Sequence, residues 1–360
     1  MSRIAIVTPS TDETRGGVER FAVQVAGIAE RAGHSVTVVS PPITRRAAGR
    51  VGLGPVVESA RAQRQVMAIE PDLVITNGAL GAAFGRRFPR IHVYHGVTLA
   101  RWRILPPTDR LRYRVRYTTQ LTTAEMLSGV GAYRVTVSDR TAREVETFLH
   151  FDVHEVIENG VDTQLFKPSC KTTARGLLGL PAEHRIALTV GGNEYRKGAD
   201  IFVGACGAAG WLPVCAGNEI PGAVNLGRLD SDTLALAYSA SDAVIFASRY
   251  EAASLALLEA LACGAIPLVS NVGSVDSLLD RLPSFSEFLI EVNEQSVAGK
   301  LRQVAESPDR FGRSATAASD LVRKDHSLQR LEQEWTALLG AAIPDGSSRS
   351  PDGWSRGRER

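Results

Sequence analysis

The residues whose types and spacing can do chemistry in this chain are two glutamates eight positions apart, Glu251 and Glu259, and two adjacent cations, Arg196 and Lys197. A loop carboxylate can meet a hydroxyl or stabilise positive charge growing at a carbon. A second carboxylate a helical turn deeper can accept hydrogen bonds from a diol such as ribose. Adjacent cations can hold a phosphate or another anion. On spacing alone the plainer reading is a solvated loop acid and a helix-surface glutamate.

The elements that must position these groups are legible around them. Asp242 to Ser248 has the short apolar run of a buried parallel strand, so Glu251 sits just beyond a strand's carboxyl end. Leu255, Leu257, Leu258, Leu261 and Ala262 then recur at helical spacing, with Ser254 as N-cap and Gly264 and Pro267 ending the run. A helix that starts at the carboxyl edge of an open parallel sheet offers unpaired N–H groups and a positive dipole end, a seat for phosphate. Ser254 and Leu255 would supply those N–H groups. Lys197 follows the loop Gly191 to Tyr195 at the head of another helix, and Arg196 beside it doubles the charge.

The first half has a thinner signal. Gly16 and Gly17 form a strand-to-helix turn that permits close approach of backbone to a ligand, without the G-x-G-x-x-G spacing of a dinucleotide fingerprint. His95 directly follows the run Ile91 to Tyr94 and so falls at the carboxyl edge of the first sheet. A Gly-Gly turn or a lone histidine is as readily structural. Between Arg101 and Tyr117, Trp102, Arg103, Arg110, Arg112, Tyr113, Arg114, Arg116 and Tyr117 make a basic and aromatic cluster. It reads as a solvated basic face, with binding of an anionic or lipid partner left open.

Short apolar runs alternate with helical patterns through both halves, which predicts two doubly wound parallel α/β units in tandem, joined near Asn159 to Pro168. The expected division is 1–165 for the first unit, 166–320 for the second, 321–340 for a last helix and 341–360 for a disordered tail. One helical pattern is expected from about Arg310 to Leu339, and Pro41 to Pro55 reads as a mobile surface loop.

Composition narrows the class. The 360 residues are 44% hydrophobic and 22% charged, with a formal charge of +2, too small to make nucleic acid the default partner. The four cysteines lack metal-ligand spacing, and Cys206, Cys215 and Cys263 fall in apolar segments where small buried side chains are expected. No apolar stretch approaches the ~20 residues of a membrane span, so a cytoplasmic protein is expected, with peripheral membrane association left open.

Glu-(seven residues)-Glu followed by Ala-Leu-Ala-Cys-Gly-Ala-Ile-Pro, with Asn271-Val272-Gly273-Ser274 after it, resembles the large family-4 retaining glycosyltransferases. Gly16-Gly17-Val18-Glu19, Val156 to Asp162 with Phe166, and Arg196 to Asp200 occur in matching order. The resemblance implies a GT-B fold: two Rossmann-like units, 1–165 on the acceptor side and 166–320 for the nucleotide-sugar donor, facing a central cleft, with a C-terminal helix, 321–340, crossing back to brace the first. It implies transfer from a nucleotide-diphosphate sugar, of UDP or GDP type, to an acceptor hydroxyl in specialised-metabolite or cell-surface glycan biosynthesis, with no cofactor and no metal. By the same resemblance Glu251 and His95 serve the sugar, Lys197 and Arg196 the diphosphate, Glu259 the ribose, and the loop around Arg228 and Leu229 the base. The chain departs from the family pattern at Gly191-Gly192, where relatives commonly carry an arginine. That leaves open a nucleotide-sugar-binding protein without turnover; a GT-B-like sugar-phosphate enzyme such as an epimerase or phosphorylase is a separate alternative.

Overall fold

The computed structural model describes residues 1–11, 16–41, 54–102, 104, 120–191 and 194–343. The interior of the 41–55 loop, most of the basic and aromatic segment 101–117, Gly192 and the tail from 344 lie outside the described residues. The chain divides into two compact units, 1–158 with 331–360, and 159–330.

The first unit holds a six-stranded, all-parallel sheet of order β2-β1-β3-β4-β5-β6. Its strands are β1 (Arg3–Val7), β2 (Ser35–Val39), β3 (Leu73–Asn77), β4 (Arg90–Tyr94), β5 (Tyr133–Thr136) and β6 (Glu155–Val156). Its helices are α1 (Gly17–Arg31), α2 (Gly54–Ile69), α3 (Thr98–Trp102), α4 (Thr122–Gly129) and α5 (Asp139–Glu144). The central strands are buried on both faces, which is why Ile4 to Val7 and Leu73 to Ile75 read as unbroken apolar runs. Helix α2 escapes the periodicity because its buried face is Ser59, Ala62 and Val66, mostly small or polar. Ser59 belongs there because its hydroxyl donates to Leu80 O (2.6 Å) and accepts from Ala83 N (2.8 Å). Strand β6 is two residues long and partly exposed, too short to carry a pattern.

The second unit holds a five-stranded parallel sheet of order β11-β10-β7-β8-β9. Its strands are β7 (Ile186–Val190), β8 (Leu212–Ala216), β9 (Val224–Asn225), β10 (Ala243–Phe246) and β11 (Pro267–Val269). The helices are α6 (Lys171–Leu177), α7 (Ala199–Ala209), α8 (Ser231–Ala240), α9 (Leu255–Ala262), α10 (Val275–Arg281), α11 (Glu294–Glu306) and α12 (Pro308–Asp325). Cys206, Cys215 and Cys263 are buried in this unit, and Cys170 is exposed.

The single helical run expected from Arg310 to Leu339 is two helices, α12 and α13 (Leu328–Ala342). The break has a cause: at His326 to Leu328 the backbone bonds to Val161 instead, with Val161 N donating to His326 O (2.8 Å) and Leu328 N to Val161 O (3.1 Å). Ser327 Oγ accepts from Arg330 N (3.3 Å) and caps the new helix. From Leu331 the chain belongs to the first unit again. There Trp335 is fully buried edge-on to Phe21 of α1 (5.6 Å), and Arg31 donates to Glu332 (2.7 Å). Among the described residues no helix is long and apolar enough to cross a membrane.

Candidate active site

Strands β7 and β10 are parallel neighbours, with Ala187 opposite Ala243 and Leu188 opposite Val244. Their carboxyl ends therefore open side by side, and the loops that follow must meet. The loop after β7 carries the short 3-10 turn Tyr195–Lys197; the loop after β10 carries Glu251. Arg196 Nη1 reaches Glu251 Oε1 at 2.9 Å, Lys197 Nζ stands 3.7 Å from the same oxygen, and Ser248 Oγ donates to it at 3.2 Å. Glu251 Oε2 has no hydrogen-bond partner among the described residues.

Arg196 spends its other donors on Tyr250 O (3.0 Å) and Glu194 Oε2 (3.1 Å). Burial pulls its pKa down, but the charges of Glu251 and Glu194 outweigh that and hold it above the usual guanidinium value. With Lys197, the cluster has two cations and two carboxylates. Arg196 thus fixes Glu251 as it stands.

A second arginine, not singled out from sequence, latches the two loops. Arg249 N donates to Arg196 O (2.7 Å), and its guanidinium forms a fork with Asp200 (2.7 and 2.8 Å), lies 3.7 Å over the Tyr195 ring and donates to Tyr195 O. Its place between the buried strand and Glu251 was the only available signal.

Two glycines make room here. Gly191 has φ +114°, and a Cβ on it would stand 2.6 Å from Lys197 Nζ, so the lysine lies directly on the glycine backbone. Gly273, at φ +62°, backs the Glu251–Ala252 carbonyls, which a Cβ would meet at 3.0 Å. Helix α9 starts beside Glu251, with Ser254 Oγ accepting from Leu257 N (3.2 Å) as the expected N-cap. Leu255 is therefore the first helical residue, where orphan N–H groups are found. Glu251, Ser254, Ser248, Leu257 and Val272 line one recess.

Glu259 is apart from that lining. It is 4% exposed in the seam between α8 and α9, and Tyr238 Oη, itself fully buried, donates to its Oε2 (3.1 Å). Arg228 is exposed and Leu229 is partly buried against the unit's core, just after Gly227, whose carbonyl accepts from Gly217 N (2.7 Å).

In the first unit, Gly16 caps α1 in extended conformation (φ 173°) and Gly17 begins the helix. His95 follows β4, half-buried, with Nε2 2.9 Å from Asn77 Oδ1 and its ring edge-on to Phe21 (4.7 Å). Burial, then the nearby Arg101 charge, lowers its pKa to about 3. The next turn is anchored by buried Glu125, which accepts from Thr98 N (3.0 Å) and Oγ1 (2.5 Å). Asn77, at the end of the strand beside β4, went unnoticed in sequence because only the pairing of β3 with β4 brings it to His95.

Two family models match this chain: Glycosyltransferase Family 4 over residues 15–165, and Glycosyl transferases group 1 over residues 223–318. The chain is 25% identical over 299 residues to a D-inositol 3-phosphate glycosyltransferase of Thermobispora bispora, covering 70% of this chain and 68% of that one. It spans about half the length of relatives with the same name from Mycolicibacterium paratuberculosis and Mycobacterium avium, at 25% and 27% identity. Among solved structures, sucrose-phosphate synthase from Thermosynechococcus elongatus superposes with TM-score 0.78 at 17% identity, covering 95% of this chain and 99% of that one. Anabaena HepE in complex with UDP-glucose gives 0.70 at 16%, covering 95% and 100%. These likenesses fix the fold as GT-B. With both units matched in order, the chain belongs to the family-4 glycosyltransferases.

Proposed function

We propose that the protein is a retaining glycosyltransferase that moves a sugar from a nucleotide-diphosphate sugar to an acceptor hydroxyl, with no resident metal or cofactor. The observation that carries this reading is the grip on Glu251: Oε1 is held by Arg196 and Ser248 while Oε2 is left unengaged, next to Lys197 and the start of α9. As the bond between the anomeric carbon and the diphosphate oxygen breaks, positive charge grows on the sugar and negative charge on the leaving group. Glu251 stabilises the first; Lys197 and the N–H groups of Ser254 and Leu255 stabilise the second. The leaving phosphate oxygen takes the acceptor proton as the new bond forms on the same face. Glu259 serves the ribose and the Arg228–Leu229 loop the base, as in the family.

The names of the curated relatives support an anionic polyol phosphate as acceptor, and the UDP-glucose complex of the fold neighbour supports a UDP-type donor. GDP-type donors stay in the panel. A cytoplasmic reaction is part of this proposal. A second reading, a nucleotide-sugar binder without turnover, draws on Arg196 being occupied by two carboxylates and a carbonyl, which leaves one phosphate clamp unassigned.

The test is a thermal-shift panel of UDP, GDP, ADP and dTDP sugars, followed by product NMR with inositol 3-phosphate as acceptor in EDTA. Ligand that binds only the folded state raises stability by RT ln(1 + [L]/Kd), about 2.7 kcal/mol at a hundredfold excess over Kd. A stabilising donor and a product with the donor's anomeric configuration are expected. Donor binding without release of nucleotide diphosphate in any acceptor screen favours the binder, and an inverted anomer sinks the retaining route.

A further inference from the structure

We infer that Asn77 is a positioning residue that fixes the His95 imidazole in one orientation and as the Nε2–H tautomer, so that Nδ1 is presented as a hydrogen-bond acceptor for a hydroxyl of the bound sugar. Its second half rests on the proposed function, with His95 in the sugar-contacting place that the family resemblance implies.

Asn77 is the last residue of β3, 1% exposed, between β1 and β4. Its register partner on β4 is Val93, so His95, two residues on, emerges at the same sheet edge. The carboxamide is fixed from the other side, because Nδ2 donates to Val7 O on β1 at 3.0 Å. Flipping the amide would set Oδ1 against that carbonyl oxygen, two acceptors in contact inside the sheet, and would lose a buried hydrogen bond. Oδ1 must therefore face His95, and an oxygen 2.9 Å from Nε2 requires a proton on that nitrogen.

The imidazole is neutral over the working pH range, because burial and Arg101 lower its pKa to about 3. A neutral ring carries one proton, already assigned to Nε2, so Nδ1 holds a lone pair. Among the described residues Nδ1 has no hydrogen-bond partner. The ring plane is set by Phe21, edge-on at 74°, and the backbone by Arg101 Nη2, which donates to His95 O at 3.1 Å. A ring so held can only accept at Nδ1. It selects a ligand atom that brings a hydrogen, as a sugar hydroxyl does, and it neither donates nor removes the acceptor's proton.

The test uses full-length protein labelled with 15N-histidine, the His95 resonances being assigned by their loss in His95→Gln. Long-range 15N–1H correlation is expected to show a protonated Nε2 and an unprotonated Nδ1, with a slowly exchanging Nε2–H. Asn77→Asp, which keeps an acceptor oxygen, is expected to keep that Nε2–H signal; Asn77→Ala is expected to lose it to exchange and to lower kcat/KM about tenfold, ~1.4 kcal/mol. A protonated Nδ1 in the parent protein, or a slow Nε2–H signal unchanged in Asn77→Ala, overturns the role of Asn77. Saturating UDP-glucose or GDP-mannose is expected to move the Nδ1 resonance upfield as it accepts a hydrogen bond. Donor binding with an unmoved Nδ1 overturns the sugar contact and leaves the tautomer assignment standing. Failure of both donors to bind instead counts against the proposed function.

Discussion

Replacing Gly191 by alanine tests whether Lys197 holds the diphosphate without altering any charge. At φ +114° a β-carbon is strained, at a cost of about 1–3 kcal/mol. The added methyl would also stand 2.6 Å from Lys197 Nζ and 2.9 Å from its Cδ and Cε, so the whole end of the side chain must retreat. For a unit of this size each kcal/mol lowers Tm by about 2–4 °C, so the variant should melt a few degrees early and stay folded at 20 °C. Displacing the ammonium should weaken UDP or GDP binding about tenfold, ~1.4 kcal/mol, by isothermal titration. The companion is Lys197→Ala alone and combined with Gly191→Ala. If the methyl acts through the lysine, the double variant binds no worse than Lys197→Ala, because the two changes remove the same contact. Unaltered affinity in Gly191→Ala, or losses that simply add in the double variant, refutes the reasoning.

Two further outcomes are expected. Glu251→Gln keeps an oxygen for Arg196 and Ser248 but removes the charge, so turnover should fall a hundredfold or more while donor affinity changes less than tenfold, as steady-state kinetics and titration would show; equal losses in both would make Glu251 a binding group. Acid should destabilise the protein early. His92 is fully buried, and burial, then Arg90, holds its pKa well below 6.5. The unfolded chain therefore takes up the proton first, so this contribution is complete above pH 6.5 and falls by about 1.4 kcal/mol per pH unit below it, with His95 adding to the same slope. Urea unfolding of the parent and of His92→Gln between pH 6.5 and 5 checks this, and identical slopes would exclude His92.

Local order was legible in the sequence wherever one segment carried its own signal. The apolar run into Ser248, the cap at Ser254 and the helical leucines after it place Glu251 and α9 without reference to the rest of the chain. Lys197 at a helix head was readable for the same reason. What escaped depends on strand order. Nothing in the sequence says that β7 lies beside β10, so the ionic contact of Arg196 with Glu251 and the Arg249–Asp200 latch appear only with the sheet assembled. Asn77 looks like any polar strand end until β3 and β4 pair. The break between α12 and α13 was hidden because its cause, the backbone of Val161, lies far away in sequence.

The first unit is discontinuous in sequence: its first stretch ends at Glu158, and its last begins at Leu331. Its largest fully buried side chain, Trp335, is translated only after the whole second unit, and it covers the same Phe21 ring whose edge steadies His95. A ribosome-bound chain halted near residue 330 would lack the tryptophan that covers this phenylalanine, and the ring against which His95 packs would be less firmly held. Loss of the last helix to a nonsense codon or a protease would therefore cost activity in a lobe whose own strands are intact.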